Sequence, residues 1–147
     1  MEVIRRITDS IEKIDGVKLL DVDPGKATNR TVVTFVGDPD DVVEAAFNAV
    51  KTASELIDMS QHKGEHPRMG ATDVCPLVPV SGVSMEETVE YARSLAERIG
   101  KELSIPVYCY ENAAFSDKRK NLANCREGEY EGLQKKLSDP VWKPDFG

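Results

Sequence analysis

The chain has 147 residues, of which 40% are hydrophobic and 31% charged, and its formal net charge is −7. That length and balance suit one folded domain with a real core rather than a disordered chain. The acidic balance argues against nucleic acid or an anionic membrane surface as a partner. No apolar run is long enough to span a bilayer, and the N-terminus opens on an amphipathic pattern without a signal-peptide core. Cys75, Cys109 and Cys125 have no metal-type spacing, so reduced thiols in a cytoplasmic protein are expected, with Cys75 and Cys109 as core fillers.

Val3, Ile4, Ile7, Ile11 and Ile14 recur every three or four residues, which predicts a helix over 2–15 ended by Asp15-Gly16. A strand is expected over 17–23, a loop over 24–29 and a second strand in the β-branched run 30–36. Asp38 and Pro39 mark a helix start, and Val43, Ala46, Phe47, Val50, Ala53 and Ile57 form its apolar stripe over 39–58. A loop carrying both histidines follows. Residues 71–80 are apolar but broken by Pro76 and Pro79, which suggests an edge or irregular strand. Ser84 and Glu87 have capping-box spacing, and the helix they open is expected to stop at Gly100. Residues 105–110 read as a strand, residues 117–137 as a charged tail helix with a thin stripe at Tyr130, Leu133 and Leu137. Within it, Lys118-Arg119-Lys120 reads as a solvated face and, beyond it, Trp142 as a packing anchor.

This order predicts an α/β (α+β) fold: an open sheet with helices on one face. A ferredoxin-like βαββαβ core fits, except that its first strand is absent because the chain starts on a helix. The expected consequence is a slot with unpaired backbone groups beside a strand. Residues 1–141 are expected to form one subdomain, and 142–147 an extended linker toward a missing C-terminal subdomain.

The candidate chemistry lies in two places. His62-Lys63-Gly64-Glu65-His66 matches the H-x-x-E-H zinc pattern, but that pattern needs a helix, and Gly64 and Pro67 oppose one. No metal is therefore expected. His66 is better placed as a lone general acid/base, because its ordinary pKa lies nearest neutrality; a surface loop whose histidines bond to backbone is an equal reading. His62 reads as a loop brace. Lys63 and Arg68 offer cations to a carboxylate-bearing substrate. In the second place, Asp21 and Asp23 share one strand face. Asp23 can orient a histidine or accept from a substrate amine, and Arg30 can pair with that carboxylate or with a ligand; ordinary turn chemistry around Asp23-Pro24-Gly25 is the other reading.

Several strings carry a resemblance. They are Leu19-Leu20-Asp21-Val22-Asp23, Thr28-Asn29-Arg30-Thr31-Val32, Thr34-Phe35-Val36-Gly37, Leu56-Ile57-Asp58-Met59-Ser60 and, above all, Gly64-Glu65-His66-Pro67-Arg68-Met69-Gly70-Ala71. With Asp73-Val74-Cys75-Pro76, Arg126-Glu127-Gly128-Glu129-Tyr130 and Trp142-Lys143-Pro144-Asp145-Phe146-Gly147, they cover essentially the whole chain. It resembles the N-terminal subdomain of glutamate formiminotransferase, which is also the transferase part of formiminotransferase-cyclodeaminase.

The resemblance implies a transferase that moves the formimino group of N-formimino-L-glutamate to N5 of tetrahydrofolate in histidine degradation, in the cytoplasm. It implies a ferredoxin-like fold and a folate co-substrate in a groove between two similar subdomains. His66 falls on the family's catalytic histidine, with Asp23 as its expected partner. Asn29, Arg30, Lys63, Glu65 and Arg68 are the expected substrate-binding residues, and Gly147 stands where the folate-contacting segment begins. A C-terminal subdomain and a homodimer are the implied protein partners. The family opens with a strand of the Val-Pro-Asn-Phe-Ser-Glu-Gly type that precedes this chain's first residue, so the alternative is an inactive folate-binding or interaction remnant.

Overall fold

A computed structural model describes residues 2–25, 30–57, 59, 70–127 and 129–147. They fall into two compact units, Met1–Asp73 and Val74–Gly147. The chain is of the expected mixed class, with one two-stranded antiparallel sheet and five α-helices among the described residues.

The first unit is a helix, a hairpin and a helix: α1 (Glu2–Glu12), β1 (Val17–Gly25), β2 (Arg30–Gly37) and α2 (Pro39–Leu56). The apolar spacing of α1 seats Ile11 at 1% exposure. Ala45, Ala46 and Ala53 of α2 are buried beside Phe47 and Val50, and such small residues let α1 approach closely. Asn48 Nδ2 ties the two helices by donating to the Ser10 carbonyl at 3.4 Å. Between α1 and β1 the chain turns at Gly16, whose φ of +88° suits glycine. Asp38 stands at the N-cap position of α2 with extended backbone, and Pro39 follows it. Its carboxylate makes no capping bond, so the start of α2 rests on Pro39 and on Asp40 and Asp41 near the helix dipole.

In the hairpin, Leu19 pairs with Phe35 and Val22 with Val33, and these four are half-buried. Leu19 and Val22 are three apart, which strict alternation forbids. The register slips between Leu19 and Asp21, leaving Leu20 as a bulge that is 54% exposed. Beyond the bulge, Asp21 and Asp23 point to the outer face opposite Thr34 and Val32.

The second unit is built around α3 (Met85–Leu103). The expected capping box is present: Glu87 N donates to Ser84 Oγ at 3.1 Å, and Ser84 N to Glu87 Oε1 at 3.2 Å. Five expectations need correction. Gly100 does not stop α3. The helix runs on to Leu103 and ends at Ser104 in the left-handed region. Gly100 is there because the chain end crosses it: a Cβ would sit 2.6 Å from Gly147 N and 2.7 Å from Phe146 Cβ. Residues 105–110 contribute only an isolated antiparallel bridge, Val107 to Phe146, because a single short partner pairs with them. Residues 71–80 form no strand; Pro76 and Pro79 lack ladder donors, and Val78 and Val80 are 73% and 82% exposed.

The charged tail is two short helices, α4 (Leu122–Arg126) and α5 (Leu133–Leu137), rather than one long helix. Arg119 is not on a solvated face. Its side chain is 11% exposed and forms an ion pair at 2.6 Å with Asp145, which is 8% exposed. The same guanidinium donates to the Lys143 and Val141 carbonyls, while Asp145 Oδ2 accepts from Cys109 N at 2.7 Å. Lys136 gives its ammonium hydrogens to the carbonyls of Asn124, Cys125 and Glu127 and stands 4.3 Å from the centre of the Trp142 ring. Trp142 in turn meets Tyr108 edge to face. All three cysteines are free thiols. Burial pushes the thiol of Cys109 up to about 11, with Asp145 adding to the effect.

Three outcomes follow for stability. Gly100→Ala should cost about 1–3 kcal/mol in urea melts, since the added methyl has no room. Arg119→Met should cost about 3–5 kcal/mol, because Asp145 is left buried without its cation; the double change Arg119→Met/Asp145→Leu should recover part of that loss. A Cys109 thiol that resists ionisation when folded, but ionises near 9 when unfolded, stabilises below about pH 9 and loses that contribution as pH rises toward 11. Melts between pH 8 and 11 should therefore fall less steeply in Cys109→Ala than in the unsubstituted chain.

Candidate functional site

The outer face of the β1–β2 hairpin gathers one of the two groups of residues singled out in the sequence. Register places Gly25 opposite Arg30, Asp23 opposite Val32, Asp21 opposite Thr34 and Lys18 opposite Val36. Side chains alternate along β2, so Arg30, Val32, Thr34 and Val36 share the face that carries Asp21 and Asp23. Asp23 and Arg30 are thus diagonal neighbours, for which about 7–8 Å between backbone positions is usual. The hairpin makes this proximity unavoidable, because β1 ends at Gly25 and β2 begins at Arg30.

Exposure divides the two faces. Asp21, Asp23 and Thr34 are exposed, whereas Leu19, Val22, Val33 and Phe35 on the other face are half-buried. Val32 and Val36 are 45% and 39% exposed on the charged side. A carboxylate pair, a guanidinium and a hydroxyl interspersed with two open valines can hold a small ligand with both charges and a short hydrocarbon part.

Of the other expected residues, Asn29, His62, Lys63, Glu65, His66 and Arg68 lie outside the described residues. The last five lie between Met59 and Gly70, the nearest described residues. On one side α2 closes with Ile57 N donating to the Ala53 carbonyl at 2.9 Å, and Met59 is 9% exposed. On the other, the described chain resumes at Gly70. Gly147 belongs to the second unit, where its φ is +86° and a Cβ would press on the Ile105 carbonyl. Among the described residues no group of three His, Cys, Asp or Glu side chains could hold a metal ion, and no helix is long and apolar enough to cross a membrane.

The open valines, and Thr34 between them, were not singled out as site residues. Their signal was present in the alternation of Arg30-Thr31-Val32-Val33-Thr34-Phe35-Val36. What hid it is that valine suits both faces of a strand, so only the register tells Val32 from Val33.

Comparison with known proteins bears on the whole chain. Residues 1–147 match the family described as the formiminotransferase domain, N-terminal subdomain. The formimidoyltransferase-cyclodeaminase of Mus musculus is 57% identical over 146 residues, covering 99% of this chain and 27% of that protein. The Dictyostelium discoideum protein of the same name is 54% identical over 145 residues, again 99% of this chain and 27% of its own length. The glutamate formimidoyltransferase of Streptococcus pyogenes serotype M1 is 49% identical over 145 residues, 99% of this chain and 48% of that protein. The chain thus spans between about a quarter and a half of the length of these relatives. It belongs to the formiminotransferase family, as the N-terminal subdomain of the transferase domain.

Proposed function

We propose that this chain supplies the donor-binding and proton-transfer half of a glutamate formiminotransferase, moving the formimino group of N-formimino-L-glutamate to N5 of tetrahydrofolate in histidine degradation. The observation that carries the reading is the family match over residues 1–147, and the placement of Asp23 and Arg30 on one hairpin face supports it. In the reaction, N5 attacks the formimino carbon and a tetrahedral intermediate forms. The bond from that carbon to the glutamate nitrogen then breaks. The proton lost by N5 must reach the departing nitrogen, which otherwise leaves as an unstable anion.

His66 takes and returns that proton, as a group titrating near neutrality can. Asp23 holds the protonated formimino group, which makes its carbon more open to attack, and steadies the imidazolium. Arg30, Lys63 and Arg68 bind carboxylates, and Asn29 and Glu65 complete the donor's hydrogen bonds. Transfer between two nitrogens changes no oxidation state, so tetrahydrofolate as co-substrate suffices, with neither metal nor redox group. Gly147 stands at the start of the folate-contacting segment, and residues 142–147, packed within the second unit, precede a C-terminal subdomain that completes the folate site. The assembly is a cytoplasmic homodimer that binds neither nucleic acid nor membrane.

The test is a transferase assay on the chain alone and on the chain supplied with a relative's C-terminal subdomain. Formimino transfer should appear in the supplied form. His66→Asn should lower turnover there by about two to four orders of magnitude with the circular dichroism spectrum unchanged. Near-normal activity of His66→Asn would remove it from the shuttle role. No transfer in either form would leave a folate-binding or interaction remnant in place of an enzyme.

A further inference from the structure

Val32 is a mid-strand valine directly opposite Asp23, yet 45% of its surface is open. Its neighbours on that face, Arg30 and Thr34, are polar, and Arg30 lies two residues away on the same side of β2. The Asp23 and Arg30 positions stand about 7–8 Å apart on the diagonal of that face, and Val32 flanks both, directly across from the first and two residues along from the second. Because a branched apolar side chain gains free energy only by losing water, an open one beside two opposite charges is suited to a ligand whose hydrocarbon part joins two charged ends.

Resting on the transfer reading above, we propose that Val32 is a specificity-determining residue that selects the length of the donor. N-formimino-L-glutamate has the matching shape. Its formimino group is an amidine, a planar cation with N–H donors, and fits the Asp23 carboxylate. Its side-chain carboxylate fits the Arg30 fork. The two methylene carbons between them lie over Val32. Four bonds separate the substituted nitrogen from the side-chain carboxylate carbon, about 5 Å when extended, and the side chains of Asp23 and Arg30 close the remainder.

The experiment measures binding of N-formimino-L-glutamate, N-formimino-L-aspartate and tetrahydrofolate, each alone, by titration calorimetry to the chain supplied with a relative's C-terminal subdomain, in which the folate site is complete. The unsubstituted chain should favour the glutamate donor over the aspartate one, which is a methylene shorter. Val32→Thr keeps the branched shape and strand propensity but puts a hydroxyl under the methylenes; Val32→Ala removes the contact. Each should weaken the glutamate donor about four- to fifteenfold, the effect of one to two buried methylene groups. Each should also narrow the preference over the aspartate donor and leave tetrahydrofolate affinity unaltered. Donor affinity within twofold of the unsubstituted chain in both variants would overturn the role of Val32 while leaving the transfer reading intact. Equal weakening of donor and tetrahydrofolate would overturn it too. No binding of either donor by the unsubstituted chain would overturn the donor reading itself.

Discussion

One surplus residue in β1 governs what the hairpin can present. Were Leu20 absorbed into regular alternation, Val22 would turn outward and Asp21 and Asp23 would turn toward α1 and α2. A carboxylate without a partner in such a core is costly to ionise. The bulge lets Leu19 and Val22 both face the helices, and the aspartates reach water together. The make-up of the outer face depends on that parity, because Arg30, Val32 and Thr34 are selected from β2 by the same register.

The second unit solves a different problem. It has one long helix and otherwise short pieces, none of which could persist alone. Its order comes from side chains that reach across the sequence to backbone carbonyls. Arg119 binds Asp145 and two carbonyls of the segment around it. Arg93 spans from α3 to the carbonyls of Ala113 and Ala114 while lying 4.0 Å from the centre of the Phe115 ring. Planar, multiply donating groups suit this work better than apolar packing, since irregular segments expose many unpaired acceptors.

Legibility in the sequence followed the range of the interaction concerned. The apolar periods of α1, α2 and α3, the β-branched run of β2 and the Ser84–Glu87 box act between near neighbours, and each appeared where it was expected. That Asp23 and Arg30 share one face follows from the same short range, as the hairpin makes their positions diagonal neighbours. Gly100 was misread because a glycine after an apolar stripe looks like a helix end, and only the crossing of Phe146 and Gly147 explains it. Arg119 was misread because a run of three cations resembles a solvated face until Asp145 is found beneath it. Strand propensity in 105–110 was likewise real, but a strand also needs a partner of matching length.

Lys136 changes the status of the helix it does not belong to. α4 has five residues, and an isolated turn of that length ends in carbonyls that nothing within the helix can satisfy. An ammonium from α5 meets three acceptors at and beyond that end, leaving no hydrogen for water. α4 and α5 therefore open or close as one cooperative element. Losing that ammonium would strip both short helices of the side chain that ties them together.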